Sequence, residues 1–145
     1  MLFLPNNRNS LNMKKVVIAI IVCTSLFLIS CKEKTITTKY TIGCIGFDSG
    51  NYDPTDWTAV EAYFSSQVAY NKTVTFEGKS LPENDAQALQ YYNDQIEKLD
   101  TAYVCSLIKG SDFFVYGIQT LNSDGSYRVI GAIQFQHNGT SEPTY

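Results

Sequence analysis

The stretch that decides the fold is FFVYGIQTLNSDGSYRVIGAIQFQ, residues 113–136. Two runs rich in β-branched and aromatic residues flank the turn Asn122-Ser-Asp-Gly125, in which the Asp-Gly pair supplies the positive φ angle that tight turns require. The stretch therefore predicts a β-hairpin with strands at Phe113–Leu121 and Tyr127–Gln136.

Three further strands are predicted upstream of this hairpin. Between residues 35 and 47 apolar and polar residues alternate, and the alternation changes parity near Gly43 or Gly46. A β-bulge or a twist of the strand is expected there, because a missing side chain makes distortion of a strand cheap. Shorter runs predict strands at Thr73–Glu77 and Ala102–Ile108.

Two amphipathic helices are predicted between the strands. Asp53 suits the N-cap and Pro54 the first position of the first helix, whose apolar residues recur every three or four positions to about Tyr70. The second helix is predicted from about Pro82 to Leu99, with an acidic polar face.

The predicted order βαβαβββ favours an α+β fold, a two-layer sandwich with both helices on one face of a five-stranded sheet. The first two connections each contain a helix, which permits parallel pairing, whereas the last three strands are linked by hairpins. A mixed sheet is therefore expected. One domain is predicted over residues 35–137, followed by a flexible tail at 138–145.

The amino-terminal part of the chain has the composition of a leader. A Lys pair at 14–15 precedes fourteen apolar or small residues at 16–29, too few to span a bilayer comfortably. The next residues are Ser30 and Cys31. The segment Leu28-Ile-Ser-Cys31 resembles the lipobox of bacterial lipoproteins; an uncleaved transmembrane anchor and an ordinary secretory signal remain the alternatives.

The resemblance implies that residues 1–30 are a signal peptide with its true start at Met13. It also implies that Cys31 receives a diacylglyceryl group and acyl chains such as palmitate, leaving 31–34 as a lipidated tether. Two or three acyl chains form a lasting membrane anchor, whereas one binds only marginally. In diderm bacteria an Asp after the lipidated Cys tends to hold lipoproteins at the inner membrane, so Lys32 favours the outer membrane.

The charge of the mature chain excludes one class of partner. All fourteen acidic residues follow the leader, whereas three of the eleven basic residues lie within it, which leaves eight basic residues and a net charge of −6. Binding to duplex phosphates needs clustered Lys and Arg. No nucleic-acid partner is therefore expected, and no cofactor is predicted.

Two cysteines remain as thiols after export, Cys44 and Cys105. In an oxidising envelope they could form a disulfide that closes a loop of about sixty residues and contributes about 3–4 kcal/mol. Alternatively, both are buried free thiols that pack as small hydrophobic residues. The sequence leaves both alternatives open, because a disulfide needs Cα atoms within about 7 Å of each other.

Candidate metal ligands are few. The loop residues Asp48, Asn51, Asp53 and Asp56 offer oxygen atoms for Ca²⁺, but their spacing departs from that of the EF-hand loop. A capped, solvated helix start explains the same residues more simply. The single histidine, His137, does not predict a His-based metal site or a Ser-His-Asp triad.

Paired carboxylates for glycoside hydrolysis could come from Glu61, Glu77 or Glu97. Each of them occupies a polar position of its predicted element, where a solvated side chain is expected and where a perturbed pKa, which needs burial, is not. No catalytic residue is assigned on this basis.

Aromatic residues give the remaining signal. The chain has ten Tyr and eight Phe, and two short helices cannot cover every ring. Exposed rings, which are common at interfaces, are expected among Tyr52, Tyr63, Tyr70, Tyr91, Tyr116 and Tyr127. The sequence therefore favours a lipid-anchored envelope module that binds or inhibits a protein or cell-wall partner. The alternative is a small envelope hydrolase or a metal-dependent enzyme.

Overall fold

Five strands and three helices make up the part of the chain that the computed structural model describes, residues 34–50 and 55–142. They confirm the α+β class and the five-stranded sheet. In chain order the elements are β1 (Ile36–Asp48), α1 (Trp57–Gln67), β2 (Lys72–Gly78), α2 (Leu81–Ile96), α3 (Thr101–Leu107), β3 (Phe113–Leu121), β4 (Tyr127–Gln136) and β5 (Gly139–Ser141).

The strands lie in the order β2-β1-β3-β4-β5, and every neighbouring pair is antiparallel, not mixed as predicted. The first connection returns the chain only part of the way along β1, since the 11 residues of α1 span about 16 Å and the 13 residues of β1 span about 43 Å. The next strand, β2, therefore starts opposite Ile42 and continues to Ile36, antiparallel to β1. The second connection does join two parallel strands, β2 and β3, but β1 lies between them.

The change of parity in the sequence of β1 corresponds to a β-bulge in the structure. The register of β1 with β3 shifts between Cys44 and Gly46, which leaves Ile45 as the extra residue. Gly43 is required beside the bulge, because a Cβ atom there would lie 2.7 Å from the backbone nitrogen of Asn71. The bulge therefore forms where the sequence predicts it.

An aromatic core fills the space between the helices and one face of the sheet. Phe64 of α1 is fully buried, and its ring centroid lies 4.9 Å from that of Phe114 and 5.0 Å from that of Tyr116. Tyr92 of α2 stacks on Tyr116 with a centroid separation of 5.9 Å. Since both helices touch Tyr116, they cover the same face, and Val104 of α3 belongs to the same cluster.

The first helix begins later than predicted. Its N-cap is Asp56, whose side chain accepts a hydrogen bond from the backbone nitrogen of Ala59 at 3.2 Å. The predicted cap, Asp53, and Pro54 lie outside the described residues. The second helix has Ser80 as its N-cap and ends at Ile96, earlier than predicted.

The predicted strand at 102–108 is wrong, because these residues form α3. Asp100 caps this helix by accepting a hydrogen bond from the backbone nitrogen of Tyr103 at 3.0 Å. Val104, Cys105 and Ile108 are all buried. Residues at positions 104, 105 and 108 share one face of a helix, because positions three and four apart lie above one another. In a strand, Val104 and Cys105 would point to opposite sides of the sheet.

The fifth strand of the sheet comes instead from the predicted tail. Residues 139–141 form β5, which pairs with the end of β4, and residues 143–145 lie outside the described part. Within the described ranges, no helix is long and apolar enough to cross a membrane.

Replacement of Phe64 by alanine tests the aromatic core. Phe64→Ala should lower the free energy of unfolding by about 3–5 kcal/mol, because it removes a fully buried ring from a close-packed cluster. Phe47→Ala is the matched control: this ring is 62% exposed, and its loss should cost less than about 1 kcal/mol. Urea unfolding measures both; equal losses for the two variants would contradict this core.

Candidate functional site

A small cleft of about 100 Å³ opens between the end of β1 and the start of α1. Its walls are the side chains of Cys44, Phe47, Trp57, Glu61 and Phe114, which together define the aromatic cleft. The cleft brings together two elements that are joined by the loop after β1.

The rings of the aromatic cleft form a continuous series from solvent to core. Phe47 is 62% exposed and packs against Trp57 with a centroid separation of 5.6 Å, and Trp57 stacks on Phe114 at 6.3 Å. The bulge places Phe47 opposite Phe114 on the helix-covered face. Without the extra residue Ile45, Phe47 would point to the other face of the sheet.

One polar group of the cleft has an unmet hydrogen-bonding capacity. The indole nitrogen Nε1 of Trp57 is buried and has no hydrogen-bond partner among the residues that the structure describes. Buried donors of this kind are rare in folded proteins, since the loss of hydration is not compensated. An acceptor brought to this nitrogen would therefore make a hydrogen bond that the protein itself does not supply.

The other polar groups of the cleft are Glu61 and Cys44. The carboxylate of Glu61 accepts a hydrogen bond from the hydroxyl of Tyr70 at 3.2 Å. The thiol of Cys44 lies 3.6 Å from the carbonyl oxygen of Gly46. Burial raises the pKa of the Cys44 thiol, and the charge of Glu61 raises it further, although a hydrogen bond with the Gly46 backbone opposes the shift. The thiol therefore remains protonated at neutral pH.

The buried carboxylate of Asp112 holds the loop that leads into the cleft. It accepts hydrogen bonds from the backbone nitrogens of Gly50 at 3.1 Å and Thr55 at 2.9 Å, and from the Thr55 hydroxyl at 2.8 Å. The same hydroxyl accepts from the backbone nitrogen of Lys109 at 2.9 Å. Asp112 thus fixes the position of Thr55, two residues before α1 begins at Trp57.

The residues suggested for Ca²⁺ do not form a group in the described structure. Asp56 is the cap of α1, and Asp48 lies exposed at the end of β1. Asn51 and Asp53 lie outside the described residues. Across residues 34–50 and 55–142, no group of three or more His, Cys, Asp or Glu side chains could hold a metal ion.

The three candidate carboxylates lie on different elements. Glu61 is on α1, Glu77 is on β2, and Glu97 follows α2, and all three are exposed. His137 lies at the end of β4, where its Nδ1 atom is 3.0 Å from the carbonyl oxygen of Ile108. The structure therefore does not bring the candidate acids and the histidine together.

The expected surface of tyrosines is largely absent from the described residues. Tyr70 and Tyr116 are buried, and the Tyr116 hydroxyl donates to the carbonyl oxygen of Ala69 at 2.7 Å. Tyr63 and Tyr91 are half-buried, Tyr127 is exposed, and Tyr52 lies outside the described residues. The exposed ring of Phe47 was not predicted from the sequence. The parity change in β1 was the signal that could have placed it beside the first helix.

A second polar cluster joins α2 to the sheet. Asp85 accepts two hydrogen bonds from Arg128, at 2.7 and 3.0 Å, and one from the Tyr40 hydroxyl at 2.7 Å. Arg128 holds the pKa of Asp85 below its usual value. Burial, with Asp85 adding to it, raises the pKa of Tyr40 to about 12. Because the charges neutralise each other within the cluster, its role is to fix α2 against β1 and β4.

The two cysteines are free thiols in the structure, the second of the two alternatives that the sequence left open. Cys44 lies on β1, and Cys105 lies on α3, which packs against β4 and β5. Since β3 lies between, the two residues are separated by about two strand spacings, roughly 10 Å. This separation exceeds the Cα distance of about 7 Å that a disulfide allows.

Alkylation of the mature protein tests this state of the cysteines. In unfolded, unreduced protein, iodoacetamide should add two groups, one at Cys44 and one at Cys105, as measured by mass spectrometry. In folded protein Cys44 should react slowly at pH 7 and faster as the pH rises, because the thiolate is the nucleophile and its pKa is raised. Complete resistance of the unfolded protein to alkylation would reveal a disulfide instead.

Comparison with known proteins adds no family to these observations. No protein-family model, no curated protein and no solved structure matches the chain.

Proposed function

We propose that the protein is a lipid-anchored module of the bacterial cell envelope that binds another protein through the aromatic cleft. The observation that carries the proposal is the exposed Phe47 ring beside Trp57, whose buried indole nitrogen has no hydrogen-bond partner within residues 34–50 and 55–142. Aromatic rings at the edge of a pocket are frequent energetic centres of protein interfaces.

The size of the cleft favours a side chain of a partner over a free small molecule. Its volume of about 100 Å³ is well below the roughly 300 Å³ at which pockets for drug-sized ligands begin. A single apolar or aromatic side chain, projecting from a larger partner, is the ligand that fits this space. The surrounding contacts would then come from the partner's backbone and neighbouring residues.

The polar groups of the cleft are complementary to a peptide backbone. The exposed Glu61 offers carboxylate oxygens, whereas the Trp57 N–H donor is buried and would be reached only after the surrounding side chains shift. A peptide unit next to the inserted side chain presents a carbonyl acceptor and an N–H donor. One such hydrogen bond contributes on the order of 1 kcal/mol, so it would add selectivity to the apolar contact.

The proposed anchor is the lipid on Cys31, delivered to the outer membrane of a diderm bacterium as the lipobox and Lys32 favour. Residues 1–33 lie outside the described part of the chain, so the support for the anchor is the sequence. The strand β1 begins at Ile36, which leaves a short connection between the lipid and the sheet.

The alternative, a small envelope hydrolase or metal-dependent enzyme, would draw on Cys44 and Glu61 because they line one cleft. A thiol with a raised pKa is a poor nucleophile unless a base activates it. His137 follows β4, which lies two strands from the β1 strand that carries Cys44, and its Nδ1 atom is 3.0 Å from the carbonyl oxygen of Ile108. The binding module therefore agrees better with the described geometry.

Substitution of Phe47 tests the binding function. The lipid-anchored wild-type protein should capture envelope proteins that Phe47→Ala does not capture, because the substitution removes the ring at the mouth of the cleft. Tyr103→Ala is the matched control, since Tyr103 is a 47% exposed ring on α3. It should retain capture. Quantitative mass spectrometry of the three captures gives the readout.

Direct engagement of the cleft is measured with the only tryptophan of the chain, Trp57. Titration of the purified partner into the wild-type protein should shift the Trp57 emission, and the shift should be lost in Phe47→Ala. Identical captures by all variants, with no change in emission, would contradict the proposal. Hydrolysis of peptidoglycan fragments by the purified protein would favour the enzyme.

The anchor is tested by Cys31→Ser. Wild-type protein should incorporate a labelled fatty acid during growth, whereas Cys31→Ser should incorporate none, because the thiol that carries the diacylglyceryl group is missing. Exported Cys31→Ser should be found in the soluble envelope fraction. Equal label in the mutant and the wild type would exclude Cys31 as the site.

A further inference from the structure

We propose that the end of the sheet at which β1 begins rests on the lipid bilayer. Three exposed apolar side chains, Leu81, Leu121 and Tyr127, define this membrane-proximal edge. The inference rests on the proposed lipid anchor at Cys31 and deepens it, since it specifies which surface of the domain faces the membrane.

The strand register brings these side chains to one end of the domain. Ile36 at the start of β1 pairs with Gly78 at the end of β2, three residues before Leu81. Leu121 at the end of β3 pairs with Tyr127 at the start of β4. Leu121 lies beside the first residues of β1, because the hydroxyl of the preceding residue, Thr120, donates to the carbonyl oxygen of Lys39 at 2.9 Å.

The side chains of the edge are unusually exposed for their type. Leu81, Leu121 and Tyr127 are 50%, 59% and 63% exposed, and they account for half of the six large apolar side chains that are exposed in the described residues. Leu81 and Leu121 line one open cleft of about 420 Å³. A grouping of exposed apolar residues marks an interaction surface more often than single exposed residues do.

The length of the tether selects the bilayer as the occupant. Five residue steps separate Cys31 from Ile36, and an extended chain covers at most about 3.6 Å per residue, or about 18 Å in total. A lipid on Cys31 would therefore keep the start of β1 within about 18 Å of the glycerol level of the membrane. The start of β1 is the part of the described domain that this tether joins directly to the lipid.

The charge of the edge is compatible with a membrane surface. The mature chain carries a net charge of −6, which anionic lipids would repel. At this end, however, the described part of the chain exposes equal numbers of acidic and basic residues. The basic residues are Lys34, Lys39 and Lys79, and the acidic residues are Glu77, Glu83 and Asp124. The contact is therefore expected to depend on apolar burial and to change little with salt.

The edge is held as one surface by hydrogen bonds. The side-chain amide of Asn84 on α2 donates to the carbonyl oxygen of Ile36 at 2.8 Å. One residue further along α2, Asp85 forms its two-bond ion pair with Arg128, which follows Tyr127. The three apolar side chains are thus carried by elements that are tied to each other, so they would meet the bilayer together.

Fluorescence quenching by brominated lipid tests this orientation. The only tryptophan, Trp57, lies near the opposite end of β1 and serves as the internal control. Tyr127→Trp in a Trp57→Phe background places the reporter at the edge, and Leu121→Trp in the same background repeats the test on the neighbouring strand. Each full-length protein is expressed with its leader, extracted, and reconstituted into phosphatidylcholine–phosphatidylglycerol vesicles with or without brominated chains.

The expected result is flotation of every protein with the vesicles and a roughly twofold loss of emission from positions 127 and 121, because interfacial side chains lie about 5–10 Å into the headgroup boundary. Trp57 of the wild type should be almost unaffected. Flotation without quenching at 127 or 121, or equal quenching at all three positions, would overturn the edge and leave the anchor standing.

Absence of flotation would overturn the anchor and the edge together. Concentration-dependent dimers in sedimentation, with emission at position 127 shifted to the blue before vesicles are added, would show that a second copy of the chain covers the edge instead. Circular dichroism of each variant, compared with the wild type, establishes that a lost signal does not come from a lost fold.

Discussion

The bulge in β1 is the constraint on which the rest of the structure depends. β1 is hydrogen-bonded to two partners, and the extra residue Ile45 changes the parity of everything that follows it. Before the bulge Tyr40 and Ile42 face the helices; after it Phe47 does so, opposite Phe114. A strand without the bulge would turn Phe47 away from Trp57, and the sheet would keep its core but lose the aromatic cleft.

The loop after β1 combines strong internal hydrogen bonding with one unmet group. The buried Asp112 carboxylate satisfies two backbone nitrogens and a hydroxyl, so the start of α1 is held firmly. Two residues after Thr55, the Trp57 side chain has a buried nitrogen without an acceptor in the described part of the chain. Natural sequences are locally consistent except at functional or strained sites. An unmet donor in such a well-bonded surrounding therefore supports a ligand-binding role.

Sequence reasoning succeeded where the signal was local. The hairpin of β3 and β4 and the bulge follow from alternation and turn chemistry within a few residues. The prediction of a strand at 102–108 was wrong because a short apolar run is compatible with a strand or a helix. The interaction that favours the helix is the N-cap at Asp100. The aromatic cleft could not be predicted, since it depends on pairing between residues 47 and 114, which are distant in sequence and fixed only by the register of the whole sheet.

The length of β1 separates the proposed anchor from the proposed binding site. Ile36 and Phe47 are eleven residues apart on one strand, a distance of roughly 36 Å at 3.3 Å per residue. Under the proposed anchoring, the membrane-proximal edge lies at the first end, so the aromatic cleft is directed away from the lipid. A partner could then reach Phe47 and Trp57 without competing with the bilayer. With a longer tether the domain could rotate and bring the aromatic cleft to the membrane. Under the proposed anchoring, the short connection after Cys31 therefore keeps the cleft accessible to a partner.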